Sequence, residues 1–360
     1  MSVKAKFKKL VNTFAIKFSD AGYVRYFVRE KKSNTKHKLD KDQLKEASSY
    51  YDPYFKLNPV FHSFYTEKTG KYCVDYIPDD KWFTDIDRFF NNREKARVLD
   101  HKSYYEKMFT GVDVKHPETI LHRVNNLWYN EKMKRISLAE VEKLVENEET
   151  LFVKVSSDSC GGRGVKYIAG STILDNFKNE TNNCLDVVVQ KPIKQHPELY
   201  KVGANSINTL RIVSLLSKEG VKVYSAILRM GIGDAKVDNA SSGGITCGIK
   251  ENGQLKDVAY TMLGEKFDCH PTTKVKFSEV TIPSYKQVIK LVKELHPSIP
   301  SFRMVSWDIA IDENAEPILV EVNLCMGQLD FHQLNNGPIF KEDTKKILDE
   351  VFNKNKVKEK

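Results

Sequence analysis

The sequence predicts an α+β protein in which a mostly helical N-terminal region precedes a mixed region of strands and helices. From Leu151 onward, short apolar strands alternate with glycine-rich turns. Before that point the chain has helical segments rich in Tyr and Phe. Near the C-terminus, two strands of alternating residues flank a polar turn, which is typical of an antiparallel hairpin. A chain of 360 residues is long enough for two or three subdomains around a sizeable core.

Residues 1–38 form a basic arm. They hold eleven Lys or Arg against two Asp or Glu, and this net charge of +9 equals that of the whole chain. Apolar residues recur there at helical spacing: Phe7, Leu10, Val11, Phe14 and Phe18. Two interpretations stay open, because such a helix either packs on the protein's own core or lies on an anionic membrane surface. No recognised nucleic-acid module follows the arm, so we expect no nucleic acid as a partner.

The remaining elements follow in order. Residues 39–95 form a second, mostly helical region, with helices expected at Lys41–Ser49 and Trp82–Asn92. Strands are expected over six apolar runs: Leu151–Val155, Val165–Ile168, Val187–Gln190, Leu210–Leu216, Val221–Met230 and Gly244–Ile249. A helix over Ser284–Leu295 precedes the C-terminal hairpin, and a helix over Glu342–Phe352 follows it.

Composition favours a cytoplasmic protein. No apolar run reaches the roughly 18 residues that a membrane span needs, and the N-terminus lacks the features of a secretory signal. The six cysteines are scattered without a CxxC or Cys/His cluster, which argues against a zinc site and a disulfide framework. We therefore expect a cytoplasmic location, peripheral to the inner face of the membrane if the arm binds there.

The C-terminal hairpin brings acidic side chains together. With Ile311 opposite Ile318, Asp308 lies opposite Glu321 on one face, and Asn323 lies one step along that face. The other face is apolar: Val305, Trp307, Ile309 and Ile311 against Ile318, Val320 and Val322. Opposite side chains are roughly 5 Å apart, where two carboxylates repel unless a hard cation such as Mg²⁺ binds both. The alternative is a solvated polar face without an ion.

A small-residue loop joins the first two strands of the mixed region. Its glycines, Gly161, Gly162 and Gly164, let backbone N–H groups approach an anion closely. Lys154 precedes the loop on a strand, unlike the lysine of a helix-type phosphate loop. The pattern predicts either a hairpin that folds over phosphates or a plain flexible hairpin.

Further ligand contacts are expected at strand ends and at two arginines. The strand that ends at Gln190 runs into Lys191-Pro192-Ile193, where exposed backbone could read an adenine edge while Ile193 or Val189 packs on the ring. The alternative is a buried strand that stops at a proline. Arg211 and Arg229 lie in otherwise apolar strands, so each guanidinium must pair with a protein carboxylate or a substrate oxyanion.

Taken in order, these features resemble the ATP-grasp superfamily over about residues 96–352. The phrases that resemble its sugar-transfer-associated branch are Asn208-Thr-Leu-Arg211, Leu228-Arg-Met-Gly231, Val237-Asp-Asn239 with Gly243-Gly244, and Trp307-Asp-Ile. The resemblance implies the ATP-grasp fold, in which two α+β subdomains clasp ATP. Here they would be an ATP-lid subdomain at about 96–195 and a metal and substrate subdomain at 196–352, before a basic tail at 353–360.

The resemblance also implies a role for each site residue. Cofactor-binding residues would be Lys102 and Lys154 on the phosphates, Gly161, Gly162 and Gly164 above them, and Gln190, Lys191 and Ile193 at adenine. Substrate-binding residues would be Arg211, Arg229, Asp238, Asn239, Gly243 and Gly244, with Lys154, Arg211 and Arg229 as the catalytic set. Asp308, Glu321 and Asn323 would ligate one or two Mg²⁺ ions. The sequence departs from many relatives at Gln190, where they carry an acidic residue, and at Ser306, where they carry an arginine.

The implied activity is an ATP-dependent carboxylate–amine ligase that acts through an acyl phosphate. Its partners would be a small-molecule carboxylate, such as a sugar acid or amino acid, and an amine, and the branch is associated with surface polysaccharide biosynthesis. One alternative is a kinase or phosphotransferase on the same fold, with a hydroxyl or a histidine such as His332 as acceptor. Another is a non-catalytic nucleotide-binding scaffold that docks through the basic arm.

Overall fold

The structure, a computed structural model, describes residues 20–99, 101–109, 111–156, 164–182, 184, 186–235, 238, 243–325 and 327–353. The predicted helix of the basic arm, with its apolar residues from Phe7 to Phe18, lies outside these residues. Both interpretations of the arm therefore stay predictions. No helix of the described residues is both long enough and apolar enough to cross a membrane.

In the described chain, helices come first, and strands mixed with helices follow from residue 119 onward. The helices are α1 (Asp20–Ser33), α2 (Lys41–Tyr51), α3 (Val60–Thr69), α4 (Asp79–Lys81), α5 (Asp87–Phe90), α6 (Arg93–Leu99), α7 (Tyr105–Met108), α8 (Leu138–Glu146), α9 (Ile173–Thr181), α10 (Pro197–Val202), α11 (Tyr285–Leu295), α12 (Asp330–Asn336) and α13 (Thr344–Phe352). The strands are β1 (Thr119–Val124), β2 (Leu127–Asn130), β3 (Thr150–Val155), β4 (Val165–Ala169), β5 (Val187–Gln190), β6 (Thr209–Ser217), β7 (Gly220–Met230), β8 (Ile245–Ile249), β9 (Leu255–Tyr260), β10 (Lys266–Phe267), β11 (Met304–Ile311) and β12 (Pro317–Asn323). A π-helical turn, Trp82–Ile86, joins α4 to α5.

The chain divides into two compact units. One contains the described residues up to Asn91, together with 260–266 and the described residues from 327 onward. The other contains the described residues of 92–259 and 267–325. The domain boundaries expected from the sequence stay predictions.

The first unit is mostly helical, and local sequence explains where one of its helices begins. Asp40 accepts a hydrogen bond from the backbone N–H of Gln43 at 2.8 Å, and the Gln43 side chain accepts one from the backbone N–H of Asp40. This reciprocal capping box satisfies two N–H groups that a helix start otherwise leaves without partners. The aromatic residues of this region form its interior, since Tyr51, Phe61 and Tyr65 are fully buried.

The second unit carries two antiparallel sheets. A five-stranded sheet has the order β2-β1-β5-β3-β4, and a seven-stranded sheet has the order β10-β9-β8-β7-β6-β11-β12. The first packs an apolar face that includes Leu151, Val153 and Val189. The second packs a larger one that includes Trp307 and Val322. The α+β class with a mostly helical N-terminal region is confirmed.

The strands predicted from alternating residues are confirmed to within one residue at each end. The helices expected at Lys41–Ser49 and Ser284–Leu295 are also present, as α2 and α11. The sequence analysis did not identify β1, β2, β9 or β10, which carry weaker alternation or are very short. Their places in the two sheets come from pairing with the stronger strands.

The register of the C-terminal hairpin differs from the prediction in one respect. Asp308 pairs with Glu321, as predicted, but Ile311 pairs with Pro317 rather than with Ile318. A β-bulge after Asp308 accounts for the shift, because it places one extra residue in β12. Leu319 consequently faces the core as a fully buried side chain, whereas Val320 lines a cavity; the prediction that Val320 lies on the apolar face is wrong.

Candidate active site

A cavity of about 620 Å³ in the second unit receives side chains from both sheets. Strands β3 and β4 contribute Phe152, Lys154 and Tyr167, while the seven-stranded sheet contributes Arg229, Asp308 and Glu321. The segment that leaves β5 lines it with Lys191–Gln195, and the loop after α10 adds residues 204–207. Its volume is in the range of small-molecule sites, which are commonly 300–1,000 Å³. The cavity is therefore the candidate active site.

Strand register places the charged side chains of the seven-stranded sheet on one face. Arg229 of β7 pairs with Thr209 of β6, and Arg211 lies two residues further along β6. Arg211 pairs in turn with Asp308 of β11, which pairs with Glu321 of β12. Because paired residues share a face and residues two apart on a strand also do, these five side chains form one continuous polar row.

Asp308 lies at the centre of this row and binds both arginines. Its Oδ1 accepts a hydrogen bond from Arg211 Nε, and its Oδ2 accepts from Arg211 Nη2 at 2.7 Å and Arg229 Nη1 at 3.0 Å. Only 3% of Asp308 is exposed. Burial alone would raise the pKa of this carboxyl, but the two guanidinium groups outweigh it and hold the pKa below its usual value. Asp308 is therefore ionised and engaged through both oxygens.

Asp238 connects the second arginine to the start of β6. Its Oδ1 accepts from Arg229 Nη2 at 3.1 Å, and its Oδ2 accepts from the backbone N–H of Thr209 at 3.0 Å and from the Thr209 hydroxyl. Burial raises the pKa of Asp238, although Arg229 opposes that rise. Arg229 thus has two carboxylate partners, whereas the contacts of Arg211 in this row are to Asp308 alone.

Two lysines from different elements meet near Glu321. Lys102 follows α6 in a short 3₁₀ turn, and its Nζ lies 3.0 Å from Glu321 Oε1. Lys154 lies on β3 and lines the same cavity. Burial lowers the pKa of Lys154 to about 8, with repulsion from Lys102 adding to the effect and attraction to Glu321 opposing it. Lysine pairs of this kind attract phosphate groups, whose negative charge relieves the repulsion.

The predicted metal ligands can be tested against these contacts. Asp308, Glu321 and Asn323 offer carboxylate and amide oxygens, which are the donors that Mg²⁺ prefers, and Asn323 uses its amide nitrogen to donate to Ser306 O at 3.3 Å. In the described residues, however, no group of three or more His, Cys, Asp or Glu is placed to hold a metal. The donor chemistry therefore fits Mg²⁺, but the ion pairs of Asp308 and Glu321 do not fit a bare cation.

The residues predicted to contact ATP are only partly brought together. Ile193 and Lys191 line the large cavity, but Lys191 Nζ also lies 2.8 Å from Glu118 and 3.2 Å from Glu148. Gln190 does not line it; its Nε2 donates to Thr119 Oγ1 at 3.1 Å, and it lines a smaller cavity instead. Gly161 and Gly162 lie outside the described residues.

The glycines that the structure does describe occupy turns. Gly164 has a φ of +87° and accepts a hydrogen bond from the Val155 N–H at 2.9 Å, so it closes the β3–β4 hairpin. Gly243 has a φ of +101° and precedes the buried Gly244 at the start of β8. Neither Gly243 nor Gly244 is among the described residues that line the large cavity, and Asn239 lies outside the described chain. All these assignments stay predictions.

Several cavity residues were not identified from the sequence. Phe152 and Tyr167 pair across β3 and β4, with ring centroids 5.3 Å apart, and both line the cavity. Tyr200 of α10 lines it too, although 55% of that residue is exposed. The signal for Phe152 was available, because it lies two residues before Lys154 and so shares its face of β3. Tyr200 had no comparable signal in its helix.

A small polar cavity of about 20 Å³ adjoins the two lysines and is lined by Ser103 and His122. Within the part of the chain that the structure describes, Ser103 Oγ and His122 Nδ1 are buried and have no hydrogen-bond partner. Burial lowers the pKa of His122 to about 4, so its ring is neutral. A cavity of roughly 10–15 Å³ or more holds one water where polar partners surround it. We expect a high-resolution crystal structure to show an ordered water bonded to both groups, and to lose it in His122→Phe. A wild-type cavity filled by a rotated side chain would contradict this.

A family model described as sugar-transfer associated ATP-grasp matches residues 171–349, which include Arg211, Arg229, Asp308 and Glu321. The chain is an ATP-grasp protein. The resemblance drawn from the sequence is thereby confirmed, including its sugar-transfer-associated branch. No curated protein sequence matches the chain.

Solved structures similar to this ATP-grasp protein are remote. D-alanine–D-alanine ligase from Bacillus anthracis is 14% identical, with 75% of this chain and 72% of that chain covered and a TM-score of 0.43. The ATP-grasp ligase PsnB with its minimal precursor is 10% identical, with 72% and 63% covered and a TM-score of 0.41. N5-carboxyaminoimidazole synthetase from Staphylococcus aureus, in complex with ADP, is 10% identical, with 66% and 48% covered and a TM-score of 0.41. The chain spans about half the length of that last structure.

Proposed function

We propose that the chain is an ATP-dependent carboxylate–amine ligase that acts through an acyl-phosphate intermediate. The observation that supports it best is the charge at the cavity floor. Three cations that line the cavity meet three carboxylates, and a fourth cation, Arg211, binds Asp308 without being among the described lining residues. The lining cations are Lys102, Lys154 and Arg229, and the carboxylates are Asp238, Asp308 and Glu321. This excess of positive charge suits a triphosphate and a substrate carboxylate, both of which are anionic.

In the proposed reaction, a carboxylate oxygen of the substrate attacks the γ-phosphorus of ATP, and the bond from that phosphorus to the bridging oxygen breaks to release ADP. An amine then attacks the acyl carbon, phosphate leaves and the amine loses a proton, which yields an amide. Phosphoryl transfer requires mainly alignment and charge neutralisation from the protein. Lys102 and Lys154 would hold the phosphates, and Arg229, which lines the cavity, would hold the transferring group or the acceptor carboxylate.

The nucleotide and cation would use the remaining predicted positions. Ile193 lies in the segment that lines the cavity after β5, where an adenine ring would pack. The loop with Gly161, Gly162 and Gly164 would close over the phosphates. Asp308, Glu321 and Asn323 would hold Mg²⁺, which would neutralise charge on the triphosphate. Lys154, Arg211 and Arg229 remain the proposed catalytic residues.

The substrates that we propose are an amino acid and a sugar acid or similar carboxylate, joined in surface polysaccharide biosynthesis in the cytoplasm. Support for this comes only from the description of the matching family, which refers to sugar transfer. Peripheral membrane contact through residues 1–38 stays a prediction.

Of the alternatives, phosphotransfer to His332 is disfavoured by its position. His332 is fully buried within α12, so an incoming phosphoryl group could not reach its ring without local opening. At His196, Nδ1 accepts from the Glu198 N–H at 3.1 Å at the start of α10, so that ring nitrogen is engaged in the helix cap. A kinase acting on a substrate hydroxyl remains the second candidate, since the same positive cavity floor would serve it.

Hydroxylamine trapping separates the candidates. ADP release would be screened across uronic acids and amino acids with hydroxylamine present, and a ligase should form a hydroxamate with its carboxylate substrate. Asp308→Asn should abolish the signal, whereas Asp257→Asn, a matched change at a side chain that is 77% exposed, should not. ADP release with a phosphorylated alcohol and no hydroxamate would identify a kinase, and ATP binding without any turnover would favour the scaffold.

A further inference from the structure

We propose that Arg211 and Arg229 close the Asp308 site to divalent cations until a polyphosphate anion enters the cavity. The proposal rests on the proposed function in one respect, namely that a nucleotide triphosphate is the anion. It goes beyond that function because it assigns an order: the anion comes first or together with the cation, and the bare cation does not bind.

The first support is the coordination of Asp308 itself. A carboxylate has two oxygens with about four lone-pair positions, and three of these accept hydrogens from the two guanidinium groups. Asp308 is 3% exposed, so water does not screen these contacts as it would on the surface. A metal ion that approached Asp308 would meet two fixed positive charges at contact distance from its ligand.

The second support is that the neighbouring carboxylates are paired as well. Glu321 lies 3.0 Å from Lys102 Nζ, and Asp238 lies 3.1 Å from Arg229 Nη2. Asp238, Asp308 and Glu321 therefore each have a cationic partner, and a further lysine, Lys154, lines the same cavity. Because like charges repel most strongly away from water, this arrangement disfavours a lone divalent cation and attracts an anion.

Arg229 has the contacts needed for a reversible exchange. It lines the cavity, whereas Arg211 is not among the described residues that line it. Arg229 also holds Asp238 through Nη2 while Nη1 binds Asp308, so it can release Asp308 and keep one carboxylate partner. Guanidinium groups bind phosphate oxygens in the same forked geometry as carboxylates. An entering polyphosphate could thus take over Arg229 and expose an oxygen of Asp308 beside the new negative charge.

The two ligands should then bind cooperatively, because each is favoured by the charge that the other brings. Reciprocal coupling of this kind is commonly about 5–150-fold in affinity. In the wild type, the anion draws Arg229 away from Asp308 and so allows the cation to bind. Removing the Arg229 charge should have part of the same effect without the anion. A variant that lacks it should bind the cation alone at least about tenfold more tightly than the wild type.

Equilibrium dialysis with Mn²⁺ tests this without any turnover. The full chain would be dialysed against Mn²⁺ alone and against Mn²⁺ with a non-hydrolysable ATP analogue, and bound metal and nucleotide would be counted per chain. We expect no Asp308-dependent Mn²⁺ with the metal alone, and at least about one Mn²⁺ per chain with the analogue. Arg229→Gln should bind Mn²⁺ alone, whereas Arg135→Gln, the same charge change at an exposed residue, should behave as wild type.

The outcomes distinguish the two proposals. Binding of Mn²⁺ alone to the wild type that is lost in Asp308→Asn would overturn the exclusion by arginine and leave the ligase proposal standing. Failure of the wild type to bind the analogue under any condition would overturn the proposed function and this inference with it. If Arg229→Gln does not fold, the wild-type pair of dialyses still decides, and Arg229→Lys, which keeps the charge but loses the fork, should bind Mn²⁺ alone no better than wild type.

Discussion

Replacing Lys154 with methionine is expected to weaken binding of an ATP analogue about tenfold to a hundredfold while leaving the fold intact. Hydrogen bonds from a charged donor contribute roughly 1.5–3 kcal/mol, and 1.4 kcal/mol corresponds to a factor of ten. Methionine keeps about the length of the side chain and removes its charge. Burial disfavours that charge and lowers the pKa of Lys154 to about 8, so the midpoint of thermal unfolding should not fall. Calorimetric titration measures the affinity, and Lys222→Met, at an exposed strand position outside the large cavity, is the control.

The pH dependence of the same binding identifies the lysine. Burial lowers the pKa of Lys154 to about 8 in the protein without ligand, and bound phosphate favours the protonated ammonium. Affinity should therefore be highest below pH 8 and fall as the pH rises above it. Lys154→Arg keeps its proton over this range and should remove the alkaline loss. An unchanged alkaline loss in Lys154→Arg would show that another group is responsible.

The sequence predicts that Asp308 pairs with Glu321 in the C-terminal hairpin because the pattern that indicates this pairing is local in the chain. Alternation with period two determines which residues share a face, and a short turn brings the two strands into register. The pairing of Asp308 with Glu321 follows from these two facts alone. The bulge does not follow from them, because the alternation of residues in β12 shows no sign of an extra residue. The bulge places Leu319 in the core and Val320 at the cavity.

The partners of the arginines could not be predicted, because they depend on the order of strands in the sheet. Arg211 and Asp308 are 97 residues apart and meet only because β6 and β11 are neighbours. The sequence required that each buried guanidinium be paired, and it left a protein carboxylate and a substrate oxyanion equally open. The structure gives protein carboxylates to both arginines, so a substrate oxyanion would have to replace one of these partners.

The sequence also gave no sign of a buried charge cluster in the helical unit. Lys31 is one of the eleven Lys or Arg that make residues 1–38 basic, yet only 1% of it is exposed. Its Nζ lies 3.0 Å from Asp330 and 3.9 Å from Asp79, and 4.3 Å from the centroid of the Phe64 ring. Asp330 is 299 residues away, so no local pattern could have placed it there.

Replacing Lys31 with methionine is expected to destabilise the helical unit by about 3–5 kcal/mol, because removing one partner leaves buried carboxylates without their counter-ion. Lys32→Met is the matched control, since the next residue is exposed and its loss should cost little. Urea denaturation gives the free energy of unfolding. Hydrogen–deuterium exchange should locate the change in α1 and α12, the helices that carry Lys31 and Asp330.

The effect of Lys31→Met should also depend on pH in a definite direction. Burial raises the pKa of Asp79 to about 7 in the folded protein, although Lys31 opposes that rise. A raised carboxyl pKa favours folding below its unfolded value, near 4, and this contribution is lost as the pH rises through about 7. Without Lys31 the ionised form of Asp79 is disfavoured further, so the variant should lose more stability at pH 8 than at pH 5. An equal loss at both values would mean that Lys31 stabilises the unit by packing on Phe64 rather than by its charge.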